Sequence, residues 1–146
     1  MEWVDNLNRA IDYIEKNLKE SIEYNEMLNI CMCSLPKFQQ MFSATCGIPV
    51  SEYIRNRKMT VAAHELINSK IKIIDLALLL GYDSPESFTR AYQSFHGVPP
   101  SVTRKTKIFE EYHRASIQIQ VYGGKFKMGT KAIMRIEYGT YCNQEV

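Results

Sequence analysis

The feature that most constrains this chain is a segment that occurs twice, at positions fifty residues apart. The matching pairs are Ser34 and Ser84, Phe38 and Phe88, Phe42 and Tyr92, Gly47 and Gly97, Ile48 and Val98, Pro49 and Pro99, and Ser51 and Ser101. In each copy a serine suits the N-cap of a helix, aromatic residues form an inner face, and a glycine suits the C-terminal end. Two copies are too few for a solenoid. They predict two helix-turn-helix units of one design.

The second copy has the clearer local signals, and its helix-turn-helix runs from Ile73 to Lys105. Apolar residues at helical spacing predict a first helix that ends at Gly81. Ser84 is a good N-cap for the second helix, and Pro85 suits its first position. The inner stripe of this second helix is Phe88, Ala91, Tyr92 and Phe95, and the outer face is Ser87, Thr89, Arg90 and Gln93. This outer face is polar and able to make hydrogen bonds.

The rest of the first 107 residues is also predicted to be helical. An amphipathic helix is expected from about Asp5 to Asn17, and a short one from about Asn25 to Met32. Ser34 is the expected cap of a helix from Leu35 to about Thr45. Between the two copies, Ser51 to Asn68 predicts a linker helix that Ser51 could cap and that spans roughly 25 Å. The predicted fold class is therefore all-α, with two helix-turn-helix subdomains joined by a central linker helix and a short β-prone C-terminal tail.

The C-terminal tail differs in character from the helical part. Ser116 to Tyr122 alternates polar and apolar residues, which predicts a strand, and Ala132 to Tyr138 could begin another. Two isolated strands are marginal in water. The tail is therefore interpreted as a linker and the opening of a second domain.

Length and composition limit the class of protein. A chain of 146 residues is one domain, or one domain and a fragment. The net charge is only +2, but acidic residues dominate up to Glu26 and basic residues dominate from Met27 to Lys107. A basic face opposite an acidic one is compatible with DNA binding. No secretory signal or membrane-spanning run is recognisable, so a cytoplasmic protein without membrane contact is expected.

Signals for metal, cofactor or catalytic chemistry are lacking in the sequence. The four cysteines show no CxxC spacing, and the three histidines are scattered, so no metal site and no cofactor are expected. No paired carboxylates, nucleophile with a base, or glycine-rich phosphate loop is evident. The sequence therefore predicts that the chain is not an enzyme, and that its thiols are reduced packing residues.

Two segments carry a resemblance to a known family. They are DLALLLGYDSPESFTRAYQSFHGVPPSVTRK in the second copy and SEYIRNRKMTVAAHEL in the linker helix. Together they resemble the AraC/XylS family of bacterial transcription regulators, over about Val4 to Lys107. The resemblance implies a sequence-specific DNA-binding regulator, expected to be an activator that contacts RNA polymerase. Each unit would place a recognition helix in one of two adjacent major-groove segments of double-stranded DNA.

The resemblance also implies a domain organisation. Residues 1–107 would be the DNA-binding domain, with its helix-turn-helix units at about 22–49 and 72–105 and its linker helix at about 51–68. Residues 108–146 would be a linker and the partial start of an effector-binding domain. That second part is similar, over YHRASIQIQVYGG and KMGTKAIMRIE, to the entry into a gyrase-inhibitor-like domain. A small-molecule effector is expected only if such a domain is complete.

The resemblance assigns DNA contacts by position. The base-contacting residues would be Pro36, Lys37, Gln39 and Gln40 in the first unit, and Glu86, Ser87, Thr89, Arg90 and Gln93 in the second. The backbone-contacting residues would be Ser34, Arg55, Arg57, Lys58, Ser84, Arg104 and Lys105. Arg90 suits a guanine, because its fork matches O6 and N7, while Gln39 or Gln40 suits an adenine.

The first unit departs from the family pattern at three positions. Leu28 replaces the small residue that Ala77 supplies in the second unit, Met32 replaces the turn glycine, and Gln40 replaces an arginine. These departures motivate an alternative, in which the chain is a shortened regulator that acts mainly as a protein-interaction module with RNA polymerase or a partner regulator. The sequence does not specify the target promoter, the effector, the sign of regulation or the oligomeric state.

Overall fold

The computed structural model describes residues 2–119 and 132–134. The helices of this described part are α1 (Glu2–Lys16), α2 (Tyr24–Cys31), α3 (Leu35–Cys46), α4 (Val50–Asn68), α5 (Ile73–Leu79), α6 (Pro85–His96) and α7 (Pro100–Thr106). Two short strands follow, β1 (Ile117–Ile119) and β2 (Ala132–Met134). The all-α prediction, with two helix-turn-helix units around a linker helix, is confirmed.

The first unit is built on an apolar stripe of α1. Val4, Leu7, Ile11 and Ile14 recur at steps of three and four, and all four are buried. They share one core with the aromatic residues of α3 and with the N-terminal half of α4. The shared members include Phe38, Phe42, Tyr53 and Ile54. Packing of this stripe makes α1 a supporting helix of the first unit.

The second unit has a core of its own. Met59, Ala63 and Leu66 of α4 are buried against Leu76 of α5, and against Phe88 and Tyr92 of α6. The first half of the linker helix therefore packs in the core of the first unit, and its second half packs in the core of the second unit. Because both cores use one continuous helix of 19 residues, α4 carries the relative placement of the two units.

The fifty-residue repeat holds at the level of geometry. Helix α3 and helix α6 each have 12 residues and begin fifty positions apart. Gly47 and Gly97 end them with nearly the same left-handed backbone, at φ 75° and φ 74°. A left-handed residue is inexpensive only for glycine, so the two matching glycines are required by the same turn.

Three local predictions differ from the structure. Helix α1 begins at Glu2, earlier than Asp5. Helix α4 begins at Val50 with Pro49 at the N-cap, so Ser51 lies inside the first turn and does not cap it. Ser34 is the N-cap residue of α3, but its side chain makes no capping hydrogen bond.

The C-terminal tail forms the predicted strands, in part. β1 pairs antiparallel with β2, and Ile117 lies opposite Met134. Each strand has three residues. The remainder of the predicted strands lies outside the described residues. Among the residues that are described, no helix is both long and apolar enough to cross a membrane.

Candidate nucleic-acid interface

The N-terminus of α6 is fixed by a reciprocal pair of hydrogen bonds. The backbone N–H of Ser87 donates to Oγ of Ser84 at 3.1 Å, and the Ser87 hydroxyl donates to the backbone carbonyl of Ser84 at 2.9 Å. Ser87 is therefore part of the cap. This position was predicted to read a base, but its hydroxyl proton is already used, and the side chain is half-buried.

The exposed face of α6 is formed by residues at helical spacing. Glu86, Arg90 and Gln93 are exposed and lie four and three residues apart, which puts them on one face. Thr89 is half-buried at the edge of this face. Ser94, which sequence reasoning missed, is also exposed and lies one turn beyond Arg90. Its spacing of four from Arg90 was the signal that could have identified it.

The exposed face of α3 is the counterpart in the first unit. Pro36, Lys37, Gln39 and Gln40 are all exposed, while Phe38 between them is fully buried. Gln40 occupies the position in α3 that Arg90 occupies in α6. The two helices thus present matching polar faces, of which only the second carries an arginine at this position.

The turn before α3 differs physically from the turn before α6. Gly81 adopts φ +85° in the second unit, and Met32 adopts φ 54° in the first. A left-handed conformation costs a non-glycine residue roughly 1–2 kcal/mol. The Met32 side chain is also 76% exposed. The first unit therefore adopts the left-handed turn at a conformational free-energy cost, which the glycine of the second unit does not incur.

Arg57 is not placed as a DNA contact. Its Nε donates to Oε1 of Glu15 at 2.8 Å, and its Nη2 donates to Oε2 of Glu15 at 2.9 Å. Its Nη1 donates to the backbone carbonyl of Tyr112. Because all three guanidinium nitrogens bind partners within the chain, the prediction that Arg57 contacts a phosphate is withdrawn.

Lys58 and Arg104 also have intramolecular partners. Nζ of Lys58 donates to the carbonyl of Leu80 at 3.0 Å, at the C-terminal end of α5, and burial lowers its pKa. Nε of Arg104 donates to the carbonyl of Leu66 at 3.2 Å, and its Nη2 donates to Ile71. Leu66 and Leu80 lie at the C-terminal ends of α4 and α5, where the last carbonyl groups have no partner within the helix. Neither cation is included in the backbone contacts proposed below.

Arg55 and Lys105 remain on the surface. Arg55 is exposed on α4 and is close enough to Tyr82 to lower its phenol pKa, although burial raises that pKa more. Tyr82 packs its ring against Phe88 at a centroid distance of 5.5 Å. Arg55 therefore lies beside the turn that leads into α6. Lys105 is exposed on α7.

Two cysteine thiols are buried in the core of the first unit. Burial raises the pKa of the Cys31 thiol to about 12 and that of Cys46 to about 12. A buried thiol of high pKa is a poor nucleophile and a poor metal ligand. Among the described residues, no three histidine, cysteine or acidic side chains are grouped so that they could hold a metal ion.

Comparison with known proteins identifies the family. A family model described as a helix-turn-helix domain matches residues 29–106. A transcriptional regulator from Chromobacterium violaceum, described as having an AraC-type DNA-binding domain, superimposes with a TM-score of 0.66. It is 19% identical, and the alignment covers 70% of this chain and 92% of that one. The chain belongs to the AraC family of helix-turn-helix transcription regulators.

Curated relatives agree with this assignment to the AraC family. The TetD protein of transposon Tn10 from Escherichia coli is 36% identical over 98 residues, covering 67% of this chain and 71% of TetD. YbfP, named as an HTH-type transcriptional regulator of Bacillus subtilis (strain 168), is 33% identical over 98 residues. That alignment covers 67% of this chain but only 33% of YbfP. The assignment to the AraC family therefore applies to the helix-turn-helix part of the chain.

Proposed function

We propose that this chain binds duplex DNA in a sequence-specific manner and regulates transcription, with α3 and α6 as its recognition helices. The observation that carries the proposal is the geometric repeat: two 12-residue helices that end at matching left-handed glycines, each with an exposed polar face, packed on one shared helix. A single α-helix fits the major groove of B-DNA. Two such helices about 34 Å apart would enter adjacent turns on one face of the duplex.

The second unit is proposed as the stronger reader of sequence. Arg90 is exposed near the middle of α6, where its guanidinium fork could donate to O6 and N7 of a guanine. Glu86, Thr89 and Gln93 flank it, and Glu86 could accept from N4 of a cytosine. In the first unit, Gln39 or Gln40 could pair with an adenine, with Lys37 and Pro36 beside them.

Backbone anchoring is assigned to a smaller set than the sequence predicted. Ser34 and Ser84 stand at the N-termini of the two recognition helices, where backbone N–H groups and the helix dipole favour phosphate. Arg55 and Lys105 add two exposed cations. Phosphate contacts of this kind position the protein and make binding depend on salt.

Two finer parts of the proposal concern partners. We propose activation through contact with RNA polymerase, which the family resemblance implies. We also propose that residues 108–146 lead towards an effector-binding domain that takes a small molecule, and the pairing of β1 with β2 supports a fold beginning there. Action on a bacterial promoter would place the chain in the cytoplasm.

The alternative, a protein-interaction module, is favoured by exposed apolar side chains near the turns of both units. Met32 is 76% exposed, Leu78 is 62% exposed and Ile74 is 50% exposed. Such residues could bind RNA polymerase or a partner regulator. This alternative predicts that the chain enriches no DNA motif.

Selection from a pool of random duplexes separates the two possibilities. The proposed function predicts enrichment of two half-elements, spaced by about one helical turn and read on one face. A pool selected with Arg90→Ala should lose information in one half-element only. Failure of the natural chain to enrich any motif, combined with capture of RNA polymerase, would favour the interaction module.

A further inference from the structure

A segment that follows the residues matched by the family model contacts both helix-turn-helix units. The family model ends at residue 106, and the chain leaves α7 through Lys107 in a left-handed conformation, at φ 60°. Residues 108–117, here named the strap, then run back from α7 past α6 and α4 to α1. The strap has no helix of its own. Its backbone forms hydrogen bonds to side chains of other elements, and its own side chains pack against both cores.

The strap begins on the second unit. The Tyr92 hydroxyl donates to Oγ1 of the buried Thr103 at 2.7 Å, and Thr103 in turn donates to the carbonyl of Ile108 at 2.8 Å. The N–H of Glu110 then donates to Nδ1 of the buried His96 at 2.9 Å. These bonds fix the start of the strap to α7 and α6.

The middle of the strap lies on the linker helix. The N–H of Tyr112 donates to Oγ1 of Thr60 at 3.0 Å, and its carbonyl accepts from Arg57. The N–H of Ala115 donates to the hydroxyl of Tyr53 at 3.1 Å. Tyr112 and Ala115 are buried. The strap therefore crosses the boundary between the two cores along α4.

The strap ends on the first unit. Asn8 of α1 binds the backbone of Ile117 twice: its Oδ1 accepts from the N–H at 3.0 Å, and its Nδ2 donates to the carbonyl at 2.9 Å. Arg114 forms an ion pair with Asp12, also on α1. The strap therefore connects α6 of the second unit to α1 of the first unit.

We propose that the strap is a specificity-determining segment, which fixes the spacing between half-elements that the chain accepts. This inference rests on the proposed function. In the described part of the chain, the other main connection between the two units is α4 and its packing, and a helix bends gently at low cost. With the strap in place, the second connection resists both bending and twisting of α4. Only DNA with one spacing then meets both recognition helices without distortion.

The strap would also transmit the effect of a ligand that binds to a fold following residue 117. β1 begins at Ile117, where the strap is bound by Asn8. A fold that contains β1 is therefore directly joined to the strap, which connects the two units. Whatever binds there could relax or tighten the accepted spacing without touching DNA.

The test uses the full chain with Asn8→Ala and Thr60→Val combined, which removes the bonds to Ile117 and Tyr112. The matched control combines Asn17→Ala and Ser69→Ala, whose side chains donate to the backbone carbonyls of Tyr13 and Glu65, each four residues earlier in the chain. The ligands are the duplex selected by the natural chain, the same duplex with one base pair inserted between its half-elements, and a duplex with the second half-element alone. Hydrogen exchange of the Tyr112, Ala115 and Ile117 amides is measured in parallel.

For the natural chain and the control, the insertion should weaken binding about tenfold or more, because geometry then prevents both units from binding at once. For the strap variant, the insertion should cost less than about threefold, with unchanged binding to the single half-element. The three amides should exchange faster in the variant only. If the double variant does not fold, Asn8→Ala alone should give an intermediate spacing penalty.

Three results would overturn the inference. An insertion penalty in the strap variant equal to that of the natural chain would show that α4 alone sets the spacing. Amides that stay protected in the variant would show that these bonds do not hold the strap. Failure of the natural chain to enrich any motif would remove the proposed function, and with it the spacing role, and the amide protection would then report only a structural contact.

Discussion

Arg57 of α4 and Glu15 of α1 face each other in a two-point ion pair, with N–O distances of 2.8 Å and 2.9 Å. The two side chains are only 13% and 12% exposed. The hydroxyl of Tyr53 donates to the same carboxylate at 2.8 Å. Burial lowers the pKa of Arg57, but the bonds to Glu15 more than offset this, so its pKa is raised. The pair is therefore a charged junction between the first helix and the linker helix.

Breaking this junction should destabilise the fold. Arg57→Ala leaves the Glu15 carboxylate buried without its cation, and we expect the free energy of unfolding to fall by about 3 kcal/mol. Urea unfolding followed by circular dichroism measures this loss. Glu15→Leu combined with Arg57→Met should recover most of it, since an apolar pair leaves no buried charge.

Arg55, two residues away, gives the matched contrast. Arg55→Ala should leave stability unchanged but lower the slope of log affinity against log salt by about one, because one phosphate contact is lost. Binding titrations of the selected duplex over a range of salt measure the slope. An unchanged slope would exclude Arg55 as a phosphate contact.

Arg90 should carry base recognition in the second unit. Arg90→Ala should weaken binding to the selected duplex by about 1–3 kcal/mol and relax one base pair. Arg90→Lys keeps the charge but loses the bidentate fork. It should therefore lose discrimination at that base pair while keeping the salt slope. Equal losses on selected and random duplexes would contradict direct reading by Arg90.

The two serine caps should differ in their value for stability. Ser84 accepts a hydrogen bond from the Ser87 N–H, whereas the Ser34 side chain makes no capping bond. Ser84→Ala should lower the free energy of unfolding by about 1 kcal/mol. Ser34→Ala, at the matching position fifty residues earlier, should cost clearly less in the same urea titration. Equal costs would contradict the difference between the two caps.

Met32 should be a site where glycine stabilises the protein. Met32→Gly relieves the left-handed conformation, and we expect a gain of about 1 kcal/mol, reduced in part by the greater freedom of glycine in the unfolded chain. Met32→Ala serves as the control, because it removes the exposed side chain but keeps the strain. Fluorescence of Trp3, which is the only tryptophan of the chain, follows unfolding of the first unit. A gain shared by both variants would point to the side chain and not to the backbone.

His96 should make the attachment of the strap depend on pH. Its Nε2 donates to the carbonyl of Met59 at 2.8 Å, and its Nδ1 accepts from the Glu110 N–H, so the ring is neutral when both bonds form. Burial lowers its pKa from 6.5, although the Met59 bond and the Glu110 carboxylate act in the opposite direction. The phenol of Tyr92 also packs against the ring.

The sign of the effect follows from proton binding. Below pH 6.5 the unfolded chain binds a proton at His96 more readily than the folded chain does, so stability falls as pH decreases through this window. Thermal unfolding should therefore occur at a lower temperature at pH 5.5 than at pH 7.5, and more so than in His96→Gln, which does not titrate. Identical pH profiles for the two proteins would exclude His96 as the cause.

Much of this molecule follows from local signals in its sequence. The fifty-residue repeat, the apolar stripe of α1, the glycines that end α3 and α6, and the proline at the start of α6 all act within one or two turns of a helix. Such features depend on residues that are close in sequence, so they can be predicted from the sequence alone. For the same reason the polar faces that carry Arg90 and Gln40 could be identified from spacing alone.

The tertiary structure alone decided which cations face inward. Arg55 and Arg57 are the same residue type in one helix turn, yet one is exposed and the other is held by Glu15 from a helix 42 positions earlier. Lys58 and Arg104 similarly bind carbonyl groups at the ends of other elements. The strap is a stronger case, since Asn8 and Ile117 are 109 positions apart. Its backbone bonds to distant side chains leave no periodicity or composition signal, because the partners meet only when both cores have packed.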